Sequence, residues 1–393
     1  MKHLTRRLPL FFIIARLILL LSLPLEGIRG YGDYWNFYSL AELGWPFFDL
    51  WVEFPPVFPF FSALLFRLGG GRQHAYEYLL ALTLSLFQAG NIYLFLRLAK
   101  KLFATEVIRW RVWIYFVLLV GLFYGWGYFD PVVVFAMLLG LNFLFDEQDF
   151  LAGAAFAFGA LTKWFPLLGL VLLWRRQSSK RAVQVTALVL GMIIAVYGGL
   201  MLLSPEMTVA SLRAQVGRGS WETVWALIDG NLSTGNFGSA VDRLDPSTAN
   251  LSARNPALIS PWLTLIPFAV LGGWLYWMAP RKNHISMISF FGLTLSVFFL
   301  WSPGWSPQWV LYLLPLILLT LPEREAILMA LVWVMVSLLE WPVLLSRGYF
   351  QALWLIIPIR TLLLILLVIA FWQVVTQTAS NHSVQGKSVD AIP

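Results

Sequence analysis

Cysteine is absent from this 393-residue chain, which excludes disulfides, thiolate metal centres and a cysteine nucleophile. Histidine is nearly absent: His3, His74, His284 and His382 are the only four. Only His74 is expected on the outer side, so a histidine-built zinc site has little to stand on. Charge is scarce too. Asp, Glu, Lys and Arg make up 12% of residues and hydrophobic side chains 59%, a balance foreign to soluble domains and typical of a polytopic membrane protein. No internal repeat or low-complexity tract is visible. The net charge of +7 does not indicate nucleic acid, because Lys and Arg collect in short loops between apolar runs, as the positive-inside rule requires.

What the chain has is a series of apolar runs, from Leu8–Leu25 at the start to Ala352–Trp372 near the end, several close to the roughly 20 residues a crossing helix needs. The first carries a basic lead but no small-x-small cleavage site, so it reads as a retained span. Cationic clusters at Lys2/Arg6/Arg7, Arg97/Lys100/Lys101/Arg109/Arg111, Arg175/Arg176/Lys180/Arg181 and Arg281/Lys282 are expected in the cytoplasm. Keeping them there imposes two corrections on plain hydropathy. Val57–Leu68, after Pro55-Pro56, is expected to be an interfacial or re-entrant helix and not to cross. Leu151–Trp174 is expected to cross twice or not at all; crossing twice makes two short halves, broken at Thr162-Lys163-Trp164-Phe165-Pro166, with Lys163 facing a polar cavity. About twelve crossings then remain, with both termini inside. Two large loops, Glu26–Ala75 and Ser204–Leu258, face outward. The second reads as irregular chain around one short helix near Trp221–Ile228, and residues 376–393 as a disordered cytoplasmic tail. One membrane domain is expected over residues 1–375.

Carboxylates and rings crowd the first outer loop, where Asp33, Glu42, Asp49 and Glu53 stand among Trp, Tyr and Phe. Asp33 is expected to open a short aromatic helix containing Tyr38. A carboxylate desolvated by rings is suited to general-base work; the structural alternative is a helix N-cap. Glu53, in WVEFPP, either binds an acceptor hydroxyl or braces the loop. The outer cations Lys163, Arg213, Arg218 and Arg254, with Arg67 and Arg72, run against the topogenic trend. Phosphate recognition supplies a reason, strongest for Lys163 and Arg218; ion pairing with Glu222, Asp229, Asp242 or Asp245 is the alternative. In WSPGWSPQW the default is an aromatic belt, and Gln308 is a candidate for lining a sugar pocket. Glu340 and Arg360 lie inside spans without an assigned role. The sequons at Asn231, Asn250 and Asn381 read as chance matches to a short pattern.

GDYWNFY, WVEFPP, GALTKWFP, GRGSWETVWALIDGN and the late Ser-Pro-x-x-x-Pro-Gln turn together resemble the GT-C glycosyltransferases, and most of all glycosyltransferase family 87, the polyprenyl-phosphate-mannose-dependent mannosyltransferases and their relatives. The resemblance implies an all-α GT-C-like bundle in a prokaryotic cytoplasmic or plasma membrane, with its active site facing outward. It implies an enzyme moving a hexose, mannose first, from a polyprenyl-phosphate donor to a hydroxyl of a lipid or glycan acceptor, with inversion. Asp33 then takes the place of the family's base, Glu53 that of the Glu in its Pro-Pro element and Lys163 that of its half-span Lys; Tyr38, Arg218, Arg254 and Gln308 are expected around the substrates from their own chemistry. Some relatives carry His in the late turn where this chain has Gln308, so that His role does not transfer. No cofactor is implied, and dependence on a carboxylate-held divalent cation stays open. The competing class is a lipid-linked glycan flippase or transporter, which concentrates charge near the midplane and often shows repeats of broken helices.

Overall fold

The computed structural model describes residues 5, 7–30, 32–235, 238–250, 254–280 and 283–377. The expected cytoplasmic cations Lys2, Arg6, Arg281 and Lys282, the sequon at Asn381 and the tail from residue 378 onward lie outside them. The chain is all-helical, at 79% helix, with no strand among the described residues. Among the described residues, six helices are long and apolar enough to cross a membrane: Gln73–Leu102, Ser179–Leu203, Pro261–Met278, His284–Trp301, Glu323–Arg347 and Phe350–Gln377. Shorter apolar helices, Leu8–Ser22, Val57–Leu68, Asp130–Phe145, Asp149–Ala160 and Pro307–Thr320, accompany them. The helix that ends the described chain runs through Gln377, so residues 376 and 377 belong to it and not to a tail.

The chain forms two compact units. The first comprises Met1–Leu170, Ser179–Gly219 and Asn236–Asn255. Its axis is the helix Gln73–Leu102, against which Leu8–Ser22, Thr105–Gly121 and Asp130–Phe145 pack. Val57–Leu68 is a 12-residue helix whose Phe58, Pro59, Ser62, Ala63 and Leu65 are buried. At 1.5 Å per residue it is about 18 Å long, short of a hydrocarbon core about 30 Å thick. The expected break after the Gly- and Ala-rich run is present: Asp149–Ala160 ends before Lys163, and a 3-10 turn, Phe165–Gly169, follows. Small residues let this segment fold back on itself. A Cβ on Gly159 would lie 2.7 Å from Pro166, and one on Gly169 would lie 2.6 Å from the Phe156 ring. The second large loop holds more structure than expected. Besides the helix Val224–Asp229 it contains the 12-residue helix Pro205–Val216, with Pro at its first position and Thr208, Ala210, Ser211 and Ala214 buried. Pro at the first helical position is a start signal, and the face those four residues form supplies the burial that propensity alone does not.

The second unit comprises Val171–Ser178, Ser220–Gly235 and Pro256–Pro393. The helices His284–Trp301 and Leu353–Gln377 pack closely, with the Phe371 ring over Gly292 where a Cβ would lie 2.6 Å away. Arg175 donates to the carbonyls of Tyr276, Ala279 and Pro280 at 3.0, 3.0 and 2.8 Å, capping the last turn of Pro261–Met278 as basic groups at helix C-termini do. Two motifs of unsettled role in the sequence hold one another. Trp221 N donates to Pro303 O and Trp305 N to Trp221 O, both at 3.1 Å, and the Trp221 indole covers Gly304. Thr223 caps Val224–Asp229 through Ala226 N, and Gly230, at φ 76°, ends the helix. The intramembrane charges Glu340 and Arg360 are partners, 1% and 2% exposed, and Arg360 also donates to Glu222 O. Pairing is how buried charge is tolerated in a bundle.

Candidate active site

Asp33 stands at the N-cap position of the helix Tyr34–Leu43, yet its side chain makes no capping hydrogen bond. The capping alternative therefore fails, and the carboxylate is available for another use. Its backbone is fastened: Asp33 N donates to Gly127 O at 3.0 Å, and the Tyr34 hydroxyl donates to Trp126 O. A Cβ on Gly32 would lie 2.5 Å from Gly127 Cα, so only glycine permits this approach. Asp33 keeps part of its surface accessible although it lies deep in the first unit. Burial pushes its carboxyl up to about 7. Asp130 adds to that rise, Lys163 opposes it and Glu53 contributes a further push.

Asp130 opens the apolar helix Asp130–Phe145 three residues beyond Gly127, with Pro131 next to it. Its carboxylate, 1% exposed, holds the Lys163 ammonium at 2.7 Å. That ammonium also lies 5.2 Å from the Phe129 ring centre and 5.5 Å from that of Phe165, a cation–π setting. Asp130, Arg218 and Asp33 all act electrostatically on the Lys163 ammonium.

Arg218 donates to the Glu53 carbonyl and stands 5.3 Å from the Phe54 ring centre. Burial pulls its guanidinium down to about 9, partly offset by Glu53. Arg254 donates to Arg218 O at 2.8 Å. It therefore supports the Arg218 backbone.

Glu53 has a buried structural partner. Its carboxylate receives a two-pronged ion pair from Arg243, at 2.8 and 3.1 Å, with each side chain 1% exposed. Trp51 N donates to Arg243 O at 3.0 Å, and its indole N–H reaches Asp245 O and Thr248 Oγ1 at 3.0 Å. Tyr38 is turned elsewhere, its hydroxyl 3.4 Å from both Glu42 Oε1 and Gly71 O and its ring beside Phe66 and Tyr76. Five residues along a helix place it about 140° around from Asp33. Gln308 belongs to the second unit, half-buried in the turn Pro307–Trp309.

Asp33, Lys163 and Arg218 thus share one electrostatic neighbourhood in the first unit, joined by Asp130, which the sequence reading did not single out. The signal was slight: an acid ahead of Pro at the start of an apolar run, normally read as a favourable first-turn charge. Arg243 also went unnoticed, because its partner is 190 residues away. Among the described residues, no three acidic or imidazole groups gather to hold a metal ion. Chemically the neighbourhood offers one carboxylate poised to change protonation near neutrality, beside two cations suited to oxyanions.

The family model of glycosyltransferase family 87 matches residues 52–303, well over half of the chain, and no curated protein matches. The chain belongs to glycosyltransferase family 87. Asp130, Lys163 and Arg218 fall within the matched residues; Asp33 and Tyr38 precede them and Gln308 follows.

Proposed function

We propose that this family 87 glycosyltransferase moves a hexose, mannose first, from a polyprenyl-phosphate donor to a hydroxyl of a lipid or glycan acceptor. The reaction takes place at the extracytoplasmic face of a bundle with about twelve crossings. The observation that carries the reading is Asp33: uncapped, partly accessible and pushed up to about 7, with Lys163 acting on it and Arg218 in turn acting on Lys163. The ideal general base has a pKa near the working pH, and desolvation is one of the ways proteins raise a carboxylate to that value.

In this mechanism the acceptor O–H lies against Asp33. As its oxygen bonds to the anomeric carbon, its proton passes to the Asp33 carboxylate, while the bond between that carbon and the phosphate oxygen breaks on the opposite face. The electron pair leaves with the polyprenyl phosphate, and configuration inverts. Phosphate needs no acid as a leaving group, only charge stabilisation, which Lys163 and Arg218 supply as fixed cations. One carboxylate reacts, unlike the acid and nucleophile pair of a retaining hydrolase. Asp130 touches no substrate in this scheme; it holds Lys163 in place and keeps Asp33 from ionising too readily. Glu53 acts by fixing the carbonyl that Arg218 grips.

The test is transfer in reconstituted proteoliposomes supplied with radiolabelled polyprenyl-phosphate sugars. Release of polyprenyl phosphate with label on an acceptor, lost in Asp33→Asn, is expected. Label moved across the bilayer with no new glycosidic bond would make the protein a flippase.

A further inference from the structure

Two outer-loop arginines run against the topogenic trend without belonging to the Asp33 neighbourhood, and the structure treats them differently. Arg67 is used: its guanidinium lies 3.6 Å from the Trp45 ring centre and donates to Ala63 O at 3.0 Å. Arg72 is exposed, and among the described residues its guanidinium makes no hydrogen bond or ion pair. The nearby acid, Glu77, is taken by Arg29 at 2.7 Å and Gln73 at 3.0 Å, so it does not neutralise Arg72.

Arg72 lines a recess of about 550 Å³ together with Leu68, Gly69, Gly70, Ala75, Tyr78 and Leu79. The recess is a shallow, open groove and not an enclosed cavity. The recess forms where the helix Val57–Leu68 ends and Gln73–Leu102 begins. The turn between them passes through Gly70 and Gly71 at φ 64° and 71°, in the left-handed region, and no side chain fills the space above Gly70. Its apolar wall does not stop at Leu79. Leu68 is 67% exposed at the rim, and Leu82 and Leu86 continue the wall along the helix at 37% and 49%. From Arg72 to Leu86 the stripe is about 20 Å long, more than half of a hydrocarbon core about 30 Å thick. A free cation at one end of a one-leaflet apolar stripe matches the charge and the length of a lipid with an anionic head.

We propose that this recess binds an anionic glycerophospholipid, its phosphate on Arg72 and one acyl chain along Leu79, Leu82 and Leu86. The Tyr78 hydroxyl, at the recess wall, supplies a second donor to the phosphate. The site does not depend on the transfer chemistry and contains none of its residues.

The experiment is native mass spectrometry of the full chain from detergent, with phosphatidylglycerol and phosphatidylcholine of equal chain length titrated in competition. One phosphatidylglycerol retained about tenfold more strongly than phosphatidylcholine is expected, as one charge-assisted contact supplies. That preference should vanish in Arg72→Gln and persist in Arg67→Gln, with the melting temperature of Arg72→Gln unchanged because the side chain is exposed. Equal retention of the two lipids, or a preference that survives Arg72→Gln, overturns the proposal. Displacement by inorganic phosphate alone would reduce the recess to an anion site and overturns it as well. Stoichiometric displacement by polyprenyl phosphate would assign it to the donor, with the same consequence.

Discussion

Lys163 and Asp130 meet at 2.7 Å, with the carboxylate 1% exposed and the ammonium 15%. The pair ties the break in one apolar run to the first residue of another, and both charges act on Asp33 with opposite sign.

That opposition yields a two-sided prediction. Asp130→Asn removes a negative charge that raises the Asp33 pKa, so the acid limb of kcat/KM should move to lower pH. Lys163→Met removes a positive charge that lowers it, so the limb should move to higher pH. Profiles measured in the same proteoliposomes give both shifts, and shifts of the same direction would break the assignment.

Asp33 itself links activity and stability. Its carboxyl, raised from 3.8 to about 7, holds a proton in the folded protein through a window in which the unfolded chain has lost it. The native state then binds more protons, so Asp33's contribution to stability falls as pH rises from about 4 to about 7, the range over which turnover rises. Asp33→Asn should reduce transfer by about 10²–10⁴-fold and melt no lower than wild type at pH 8. Undiminished turnover would remove Asp33 as base.

Glu53 and Arg243 should behave as a structural pair. Breaking a buried ion pair from one side costs about 3–5 kcal/mol because the other charge is stranded. Glu53→Gln and Arg243→Met are each expected to lower the melting temperature sharply, and the double variant to lose less than the sum. Strictly additive losses in thermal unfolding would show that the pair contributes no coupling.

Gly304 predicts a steric result. A Cβ there would lie 2.1 Å from the Trp221 ring, so Gly304→Ala should displace the indole and destabilise the second unit. Adding Trp221→Ala should recover part of the loss, as thermal melts and tryptophan fluorescence would report. A Gly304→Ala variant with wild-type stability would contradict the packing.

Much of the architecture was legible in side-chain chemistry. The count of crossings between the charged clusters pointed to a break at Thr162–Pro166, and the chain turns there; Pro55-Pro56 and the brevity of Val57–Leu68 marked a short separate helix. The aromatic helix after Asp33 and the one near Trp225 were readable for similar reasons. Pro205–Val216 was missed although Ser204-Pro205-Glu206 announced it, because the Gly and Asn content further on coloured the whole loop. Asp33 was identifiable as a candidate, but whether it capped its helix was not, since an N-cap position and a capping hydrogen bond are different things.

The sequence by itself determined the solvent, the helical class, the places where apolar runs must break and the carboxylate most worth testing, because these depend on composition and on neighbours a few residues apart. Only the tertiary structure decided which charges meet. Glu53 found Arg243, Lys163 found Asp130 and Arg360 found Glu340 and the Glu222 carbonyl, while Arg72 among the described residues found none. Removing a charge from water is tolerated only beside an opposite one, and which opposite one comes within reach is set by how helices distant in sequence pack.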